Sequence, residues 1–193
     1  MIKKILCGLF ILFLYACNDE QINKNILSNN SALSKEQLEH SNSLDINSYK
    51  EIAIFFKDNQ NIIFDDKKPT FIIFSSNNCK YCNKLREEIK EDKKLQDKLR
   101  KDYNSYYINI SYQKIHNINK QKQTTQDLIQ NYDIQSTPTL IFFNSSGKML
   151  LNYPGLMGAK RLALTMDILK ENQNLTEDEL LKKLFLAYRE NNV

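Results

Sequence analysis

Histidine, cysteine and surplus charge are all scarce in this chain of 193 residues. Its two histidines, His40 and His116, lie far apart and without other metal-binding residues around them, which leaves little with which to build a metal centre. Lysine and arginine exceed aspartate and glutamate by only 4, so the sequence has no basic footprint of the kind that nucleic acid binds. Zinc enzymes and nucleic-acid-binding proteins are therefore poor candidates.

What is present is enough to bury a sizeable core. Hydrophobic residues make up 41% of the chain and aromatic residues 10%, which excludes collagen-like and fully disordered proteins. Four cysteines are too few for a disulfide-dense scaffold. The length suits one domain with appendages, and no internal repeat is visible.

The N-terminal segment predicts export from the cytoplasm. Lys3 and Lys4 precede eleven uncharged residues, Ile5 to Tyr15, a run too short to span a bilayer as a mature helix. Residues 1–16 therefore read as a signal peptide. Leu14-Tyr15-Ala16-Cys17 resembles the lipobox of bacterial lipoproteins, in which the cysteine is lipidated and becomes the mature N-terminus, although Tyr15 is bulkier than the residue usual there. Secretion without lipid and an uncleaved anchor are the alternatives, and all three are extracytoplasmic.

The cysteine count fits lipidation. Cys7 leaves with the signal peptide and Cys17 carries the lipid, so the mature chain keeps only Cys79 and Cys82. The mature domain then has a single closely spaced pair. Neither of these two cysteines is left over for another disulfide.

Residues 17–46 are predicted to be a lipidated N-terminus followed by a flexible tether. Asn18 to Asp45 is rich in Asn, Ser, Gln, Lys and Glu, a composition that buries too little apolar surface to order itself. A flexible chain of this length reaches about 30 Å. The alternative is a short helix over Lys35 to His40 that packs on the folded domain, which we place at residues 47–193.

Apolar spacing and turn residues predict the elements of that domain. The predicted helices are Tyr49–Lys57, Cys79–Lys90, Lys93–Lys101, Thr125–Asn131 and Leu162–Leu169. The predicted strands are Asn61–Phe64, Thr70–Ser75, Tyr106–Ile110, Thr139–Phe143 and Lys148–Tyr153. Thr70–Ser75 is the best central strand because it is apolar on both faces.

Three further segments connect or follow these elements. The polar stretch Ser111–Thr124 is predicted to be an exposed insertion, whose lysines either are simply solvated or meet acidic partners. Gly147 suits the turn between the last two strands, which would pair antiparallel. Thr176 and Glu179 form a capping box that begins a last helix. We expect this helix to pack on the domain, with a dimer or partner surface as the alternative.

Cys79-Lys80-Tyr81-Cys82 is the motif that carries chemistry. It follows a buried strand and opens a helix, where a CxxC pair is typically a redox centre. Free N–H groups at the helix N-terminus and the Lys80 cation would stabilise a Cys79 thiolate, the nucleophile, and leave Cys82 as the sheltered resolving thiol. A purely structural disulfide and half of a zinc site are the alternatives. The first closes too small a loop to add much stability, and the second lacks its other ligands.

From Tyr49 to Leu169 the chain resembles the thioredoxin superfamily. The resemblance rests on the strand before CxxC, on Thr137-Pro138-Thr139 entering a strand, and on the segment Gly147 to Gly155. Within the superfamily the chain is most similar to the periplasmic proteins grouped with SoxW and to thiol:disulfide interchange proteins. The resemblance implies an α/β, thioredoxin-like fold: a central mixed β-sheet flanked by helices, here with an extra C-terminal helix.

The resemblance also implies how substrate is bound. The Thr137–Pro138 peptide bond would be cis and lie against the CxxC, with the Thr137 backbone pairing with an extended substrate strand, so Thr137 and Pro138 are the candidate substrate-binding residues. No cofactor beyond the Cys79–Cys82 dithiol is implied. Two departures concern the proton relay: Ile73 replaces the buried aspartate of thioredoxin, and Tyr107 replaces its lysine partner. Asn78 replaces the tryptophan before the motif.

Together these features predict a lipid-anchored thiol-disulfide oxidoreductase on the periplasmic side of the cell envelope. We expect it to reduce disulfides of envelope proteins, with apocytochromes or oxidatively damaged thiols as candidate substrates, and to receive electrons from a membrane donor. Its partners are then protein disulfides and the membrane, with no nucleic acid. A disulfide oxidase or isomerase, and a non-enzymatic lipoprotein adaptor on the same scaffold, remain the alternatives.

Overall fold

The computed structural model of the protein describes residues 33–64 and 67–193. The predicted signal peptide, the lipidation site Cys17 and the tether up to residue 32 lie outside these ranges. Within the two ranges, no helix combines the length and the apolar character needed to cross a bilayer.

The described chain forms helices and strands that follow one another in short runs. The helices are α1 (Lys35–Asn47), α2 (Lys80–Glu91), α3 (Lys93–Asp97), α4 (Thr125–Asn131), α5 (Ala159–Glu171) and α6 (Glu177–Glu190). The strands are β1 (Asn61–Ile62), β2 (Thr70–Ser75), β3 (Asn104–Asn109), β4 (Ile115–Ile118), β5 (Gln121–Thr124), β6 (Thr139–Phe143) and β7 (Met149–Pro154). A 3₁₀ turn at Ala53–Phe55 and a π-helical turn at Lys98–Asp102 complete the order.

The strands form two sheets. The larger sheet has the order β3-β2-β6-β7, in which β2 and β3 are parallel and the other neighbours are antiparallel. The smaller sheet has the order β1-β4-β5, with β1 parallel to β4. The predicted thioredoxin-like α/β fold, with a mixed central sheet flanked by helices, is confirmed.

The larger sheet is buried on both faces because successive side chains of a strand point in opposite directions. Phe71 and Ile73 join one hydrophobic core, which the helices α2, α3, α5 and α6 cover. Ile72 and Phe74 join a second core, which contains residues of α4, β1 and β4. The prediction that Thr70–Ser75 is the central, fully buried strand is therefore confirmed.

The predicted helix Tyr49–Lys57 is wrong. The segment forms turns and the short 3₁₀ helix Ala53–Phe55, and its residues Ile52 and Phe55 are buried. β-Branched and aromatic residues favour helix only weakly, and the backbone N–H of Lys57 donates to Ser105 in β3 instead of to its own turn. Tertiary pairing therefore overrides the helical spacing.

The prediction of a flexible tether up to residue 46 is wrong for residues 35–46. Residues 35–47 form α1, whose side chains are mostly exposed until Asp45, which is fully buried. This helix is longer than the short Lys35–His40 helix that was the alternative. Composition pointed to disorder because the segment has few apolar residues, but a single buried ionic contact, described below, holds its last turn.

The exposed insertion Ser111–Thr124 is also a wrong prediction. Its second half is the β4–β5 hairpin, and β4 pairs with β1 through Asn61↔Asn117 and Ile62↔Ile118. Lys114 and His116 are buried, because partners from distant segments satisfy their polar atoms. The polar composition of this stretch reflects those buried hydrogen bonds as well as its exposed tip.

The C-terminal part of the domain follows the sequence prediction. β6 and β7 pair antiparallel around a turn in which Gly147 has a φ of +88°. A Cβ atom at Gly147 would lie 2.9 Å from the Phe64 ring, so both the backbone and the space require glycine there. The capping box of Thr176 and Glu179 is present, and α6 packs on the domain through Leu180 and Leu184.

Candidate active site

Cys79 and Cys82 form a disulfide at the start of α2. β2 ends at Ser75, three residues connect it to Cys79, and Cys79 is the N-cap of the helix. The Cα atoms of the pair lie 5.2 Å apart. Cys82 is only 1% exposed, whereas Cys79 is partly exposed, so an incoming disulfide has access to Cys79 first.

The helix N-terminus presents a backbone hydrogen-bond donor to the Cys79 sulfur. The backbone N–H of Cys82 donates to the Cys79 Sγ over 3.1 Å. The first N–H groups of a helix have no partner within the helix, and they carry the positive end of its dipole. These donors stabilise negative charge on Cys79 and therefore favour a thiolate once the disulfide is reduced.

Thr137, the residue before Pro138, lies beside Cys79. The Thr137–Pro138 peptide bond is cis. The Thr137 carbonyl oxygen lies 3.3 Å from the Cys79 Sγ, and the Thr137 hydroxyl is 2.7 Å from that of Ser76, in the loop before Cys79. The Pro138 carbonyl accepts a hydrogen bond from the N–H of Gly155, after β7. Thr137 therefore contacts Cys79 from a distant segment, and Gly155 holds the residue after Thr137.

Comparison with known families agrees with this geometry. A family model described as a thioredoxin-like domain matches residues 56–170, which include both cysteines and Pro138. The chain belongs to the thioredoxin-like domain family. A thioredoxin-fold protein from Helicobacter pylori, described as structurally and functionally characterised, is 31% identical, and the match covers 77% of this chain and 100% of that one with a TM-score of 0.70.

Other thioredoxin-like structures are more distant. A thioredoxin-like protein from Clostridium perfringens is 20% identical over 61% of this chain and 89% of its own, with a TM-score of 0.38. A protein named DsbH oxidoreductase is 18% identical over 70% of this chain and 81% of its own, with a TM-score of 0.38. Likeness at that level is too weak to indicate a shared function. Curated protein sequences give no match.

The central strand β2 has no carboxylate at Ile73, where thioredoxin has a buried aspartate. Ile73 and Tyr107 are direct neighbours on β2 and β3, and both are buried. Burial raises the pKa of the Tyr107 hydroxyl, although Ser75 and the guanidinium of Arg86, both nearby, act to lower it. Arg86 in turn donates to Glu51 over 3.1 Å. The central strand thus offers Cys82 no acidic proton acceptor at Ile73.

A buried polar cluster that no local sequence pattern indicated lies near the loop before Cys79. Its members are Asp45, Asn59, Asn109, Lys114 and His116, all of which are buried. The Lys114 Nζ donates to the Asp45 Oδ2 over 2.6 Å, and the Asn59 side chain contacts both residues. Because 69 residues separate the two charges, no local pattern could have paired them.

The cluster is built from charges and amides and has no set of metal ligands. In the ranges 33–64 and 67–193, no group of three or more histidine, cysteine or acidic side chains is arranged to hold a metal ion. That the protein uses no cofactor beyond the Cys79–Cys82 pair stays a prediction.

Proposed function

We propose that this protein is an extracytoplasmic, lipid-anchored thiol-disulfide oxidoreductase that reduces disulfides of envelope proteins. The observation that carries the proposal is the position of Cys79: partly exposed, at the N-terminus of α2, with its sulfur beside the Thr137 carbonyl. A structural cross-link needs none of these features.

The first step of the proposed reaction is nucleophilic attack by Cys79. In the reduced protein the Cys79 thiolate attacks one sulfur of a substrate disulfide, so that a Cys79–substrate disulfide forms and the other substrate sulfur leaves as a thiolate. That leaving sulfur takes a proton from solvent. The N–H of Cys82, 3.1 Å from the Cys79 sulfur, supports the charged nucleophile before attack.

The second step is resolution by Cys82. Its thiol loses a proton and attacks the Cys79 sulfur, which breaks the mixed disulfide and releases the second substrate sulfur as a thiolate. The substrate has then gained two electrons, and the protein holds the Cys79–Cys82 disulfide seen in the structure. A membrane-bound dithiol must return two electrons for another cycle, which is why we include a membrane donor among the partners.

Two groups, one half-buried and one exposed, support a protein substrate. The Thr137 backbone lies next to the reactive sulfur, where an extended chain can pair with it and bring its own disulfide to Cys79. Tyr81, inside the motif, is 57% exposed and offers an aromatic surface to a protein substrate. A small disulfide would use neither contact.

The envelope location rests on the sequence. The short apolar run that ends at Leu14-Tyr15-Ala16-Cys17 supports lipidation of Cys17, and a lipid on the mature N-terminus would keep the domain beside a membrane electron donor. The more specific likeness to the SoxW group supports a role in reduction, with apocytochromes or damaged thiols as substrate classes.

Equilibration of the mature protein with glutathione tests the direction of electron flow. The fraction of Cys79–Cys82 disulfide is measured at a series of reduced-to-oxidised glutathione ratios. A reductase should keep most of its disulfide until reduced glutathione is in large excess, because its dithiol is the stronger reductant. Ready reduction of the pair by glutathione would instead indicate an oxidase or isomerase. A pair that never exchanges with glutathione would indicate the non-enzymatic adaptor.

A further inference from the structure

The loop before Cys79 is held by the chain that follows β3. Asn77 lies two residues before Cys79, and its backbone N–H donates to the Ser111 Oγ over 2.9 Å. Its side-chain amide donates to the Tyr112 hydroxyl over 3.1 Å and accepts from the Asn109 amide over 2.9 Å. These three hydrogen bonds therefore attach Asn77, in the loop before Cys79, to residues 109–112.

Asn109 joins this loop to the buried polar cluster. Its side-chain oxygen accepts from the N–H of Ser111 over 3.0 Å, while its own backbone N–H donates to the Asp45 Oδ1 over 2.8 Å. Asn109 is 2% exposed and Asp45 fully buried. A continuous series of short hydrogen bonds thus runs from the last turn of α1 to the residue two positions before the nucleophile.

Asp45 is itself rigidly placed. One carboxylate oxygen accepts from Asn109, and the other accepts from Lys114 and from Asn59, each over 2.6 Å. A buried ion pair adds little net stability because both charges lose their hydration, so such a pair is better explained by the geometry that it imposes. Here the geometry that it imposes is that of Asn109.

The reactivity of Cys79 depends on the geometry of this loop. The stabilisation that a helix N-terminus gives to a charge is confined to the first turn, so a small displacement of the Cys79 sulfur weakens it. Asn78, between Asn77 and Cys79, has a φ of 57°, a left-handed conformation in which the chain turns into α2. An anchor at Asn77 holds that turn in place.

We propose that Asp45 is a positioning residue of the redox centre, which acts through Asn109 and Asn77 to hold Cys79 where its thiolate is stabilised. The proposal rests on the proposed function only in giving Cys79 the role of nucleophile. It makes α1 part of the active-site scaffold, in a segment whose composition alone resembles a tether.

Alkylation of Cys79 as a function of pH tests the proposal. The reduced mature protein is treated with iodoacetamide, and labelling of the Cys79 peptide is followed by mass spectrometry. Asn109→Ala removes the side-chain link to Asn77 but keeps the backbone N–H that Asp45 accepts. We expect the alkylation profile of this variant to move to higher pH, with labelling near pH 6 about three- to tenfold slower because less thiolate is present.

Two comparisons separate positioning from stability. Asn117→Ala makes the same substitution on β4, where the amide contacts only Asn61 in β1, and should leave the profile unchanged. Asn77→Ala combined with Asn109→Ala should shift the profile by less than the sum of the two single shifts, since both substitutions remove the shared Asn77–Asn109 link and each removes one further hydrogen bond, to Tyr112 or from Ser111. Additive shifts, or a profile for Asn109→Ala that superimposes on that of the unaltered protein, would overturn the proposal.

A matched pair of double variants tests Asp45 without leaving Lys114 charged and unpaired. Asp45→Asn with Lys114→Met keeps an oxygen that accepts from Asn109, and Asp45→Ala with Lys114→Met removes it. We expect the first double variant to keep the alkylation profile of the unaltered protein and the profile of the second to move to higher pH. Equal profiles for the two would count against a positioning role for Asp45. The readout does not require turnover, so a protein that reduces no disulfide would refute the proposed function and still leave this comparison decided.

Discussion

The carbonyl oxygen of Thr137 lies 3.3 Å from the Sγ of Cys79, although 58 residues separate them in sequence. In the disulfide the sulfur has no proton, so the two atoms are simply in contact. After reduction, a neutral Cys79 thiol can donate to this carbonyl, whereas a thiolate accepts from the N–H of Cys82 instead. The same sulfur therefore has a partner in each state, and the carbonyl is free for a substrate strand when the thiolate attacks.

The two cysteines should give opposite phenotypes when each is replaced by serine. Cys79→Ser should abolish disulfide reduction because it removes the nucleophile, while Cys82→Ser should still attack and then accumulate a mixed disulfide that nothing resolves. Non-reducing gel electrophoresis after reaction with a protein disulfide measures both. Iodoacetamide near pH 6 should label Cys79 of the reduced protein first, and faster labelling of Cys82 would reverse the two roles.

The native protein should begin at Cys17 and partition with membranes. The prediction follows from the lipobox-like sequence that ends the short apolar run. Mass spectrometry of the native N-terminus identifies the first residue and its modification, and Cys17→Ser provides the matched control, which should lose the lipid and the membrane association. An unmodified N-terminus at another residue, or an entirely soluble native protein, would contradict lipidation.

Removing the buried carboxylate should destabilise the domain strongly. Asp45→Ala leaves Lys114 charged in the interior, and breaking such a pair costs about 3–5 kcal/mol of unfolding free energy. Glu39→Ala on the same helix removes an exposed ion pair with Lys35, 3.7 Å long, and should cost less than about 1 kcal/mol. Urea unfolding of each variant gives both values.

Adding Lys114→Met to Asp45→Ala checks the cause of that loss. The second substitution removes the unpaired charge, so it should restore part of the stability even though it deletes another polar group. If the double variant is less stable than Asp45→Ala by the full cost of a further core substitution, the charge itself is not the source of the effect.

The redox motif could be predicted from sequence because its signals are local. A buried apolar strand, CxxC and the start of a helix lie within fewer than twenty consecutive positions, and Thr137-Pro138-Thr139 marks the second loop by itself. Hairpin and capping signals around Gly147 and Thr176 likewise act over a few residues, which is why β6, β7 and α6 follow the prediction.

The failures share a different physical origin. Asp45 and Lys114 each look like a solvated charge within their own polar segments, and only the fold brings them together. The segment Tyr49–Lys57 has the apolar spacing of a helix, but its β-branched and aromatic residues favour helix only weakly. The backbone N–H of Lys57 donates to β3 instead. Long-range pairing leaves no trace in a single sequence.

His116 should make the stability of the domain depend on pH in a window that opens below about pH 6.5 and ends at the lowered pKa of the folded protein. Its Nδ1 is 2.8 Å from the Asn59 carbonyl oxygen and therefore carries a proton, while Nε2 is 3.1 Å from the Thr125 hydroxyl. Burial is the main cause that lowers the pKa of His116. The hydrogen bond to the Asn59 carbonyl opposes it, the Lys114 charge lowers the pKa further, and the Asp45 and Asp58 charges raise it.

The sign of the dependence follows from which state binds the proton. Above the unfolded-state pKa of about 6.5, the His116 ring is neutral in both states and its contribution to stability is fully present. As the pH falls below about 6.5, the unfolded chain binds a proton that the folded protein does not bind. The free energy of unfolding therefore decreases until the pH reaches the lowered pKa of the folded protein. Urea unfolding at several pH values should therefore show a slope that His116→Gln flattens and that His40→Gln, at an exposed position on α1, leaves intact. The acidic groups with lowered pKa, Asp127 and Glu179, titrate below this window, so they do not supply the slope. A slope that persists in His116→Gln would show that the ring is already charged in the folded protein, or that another group binds the proton.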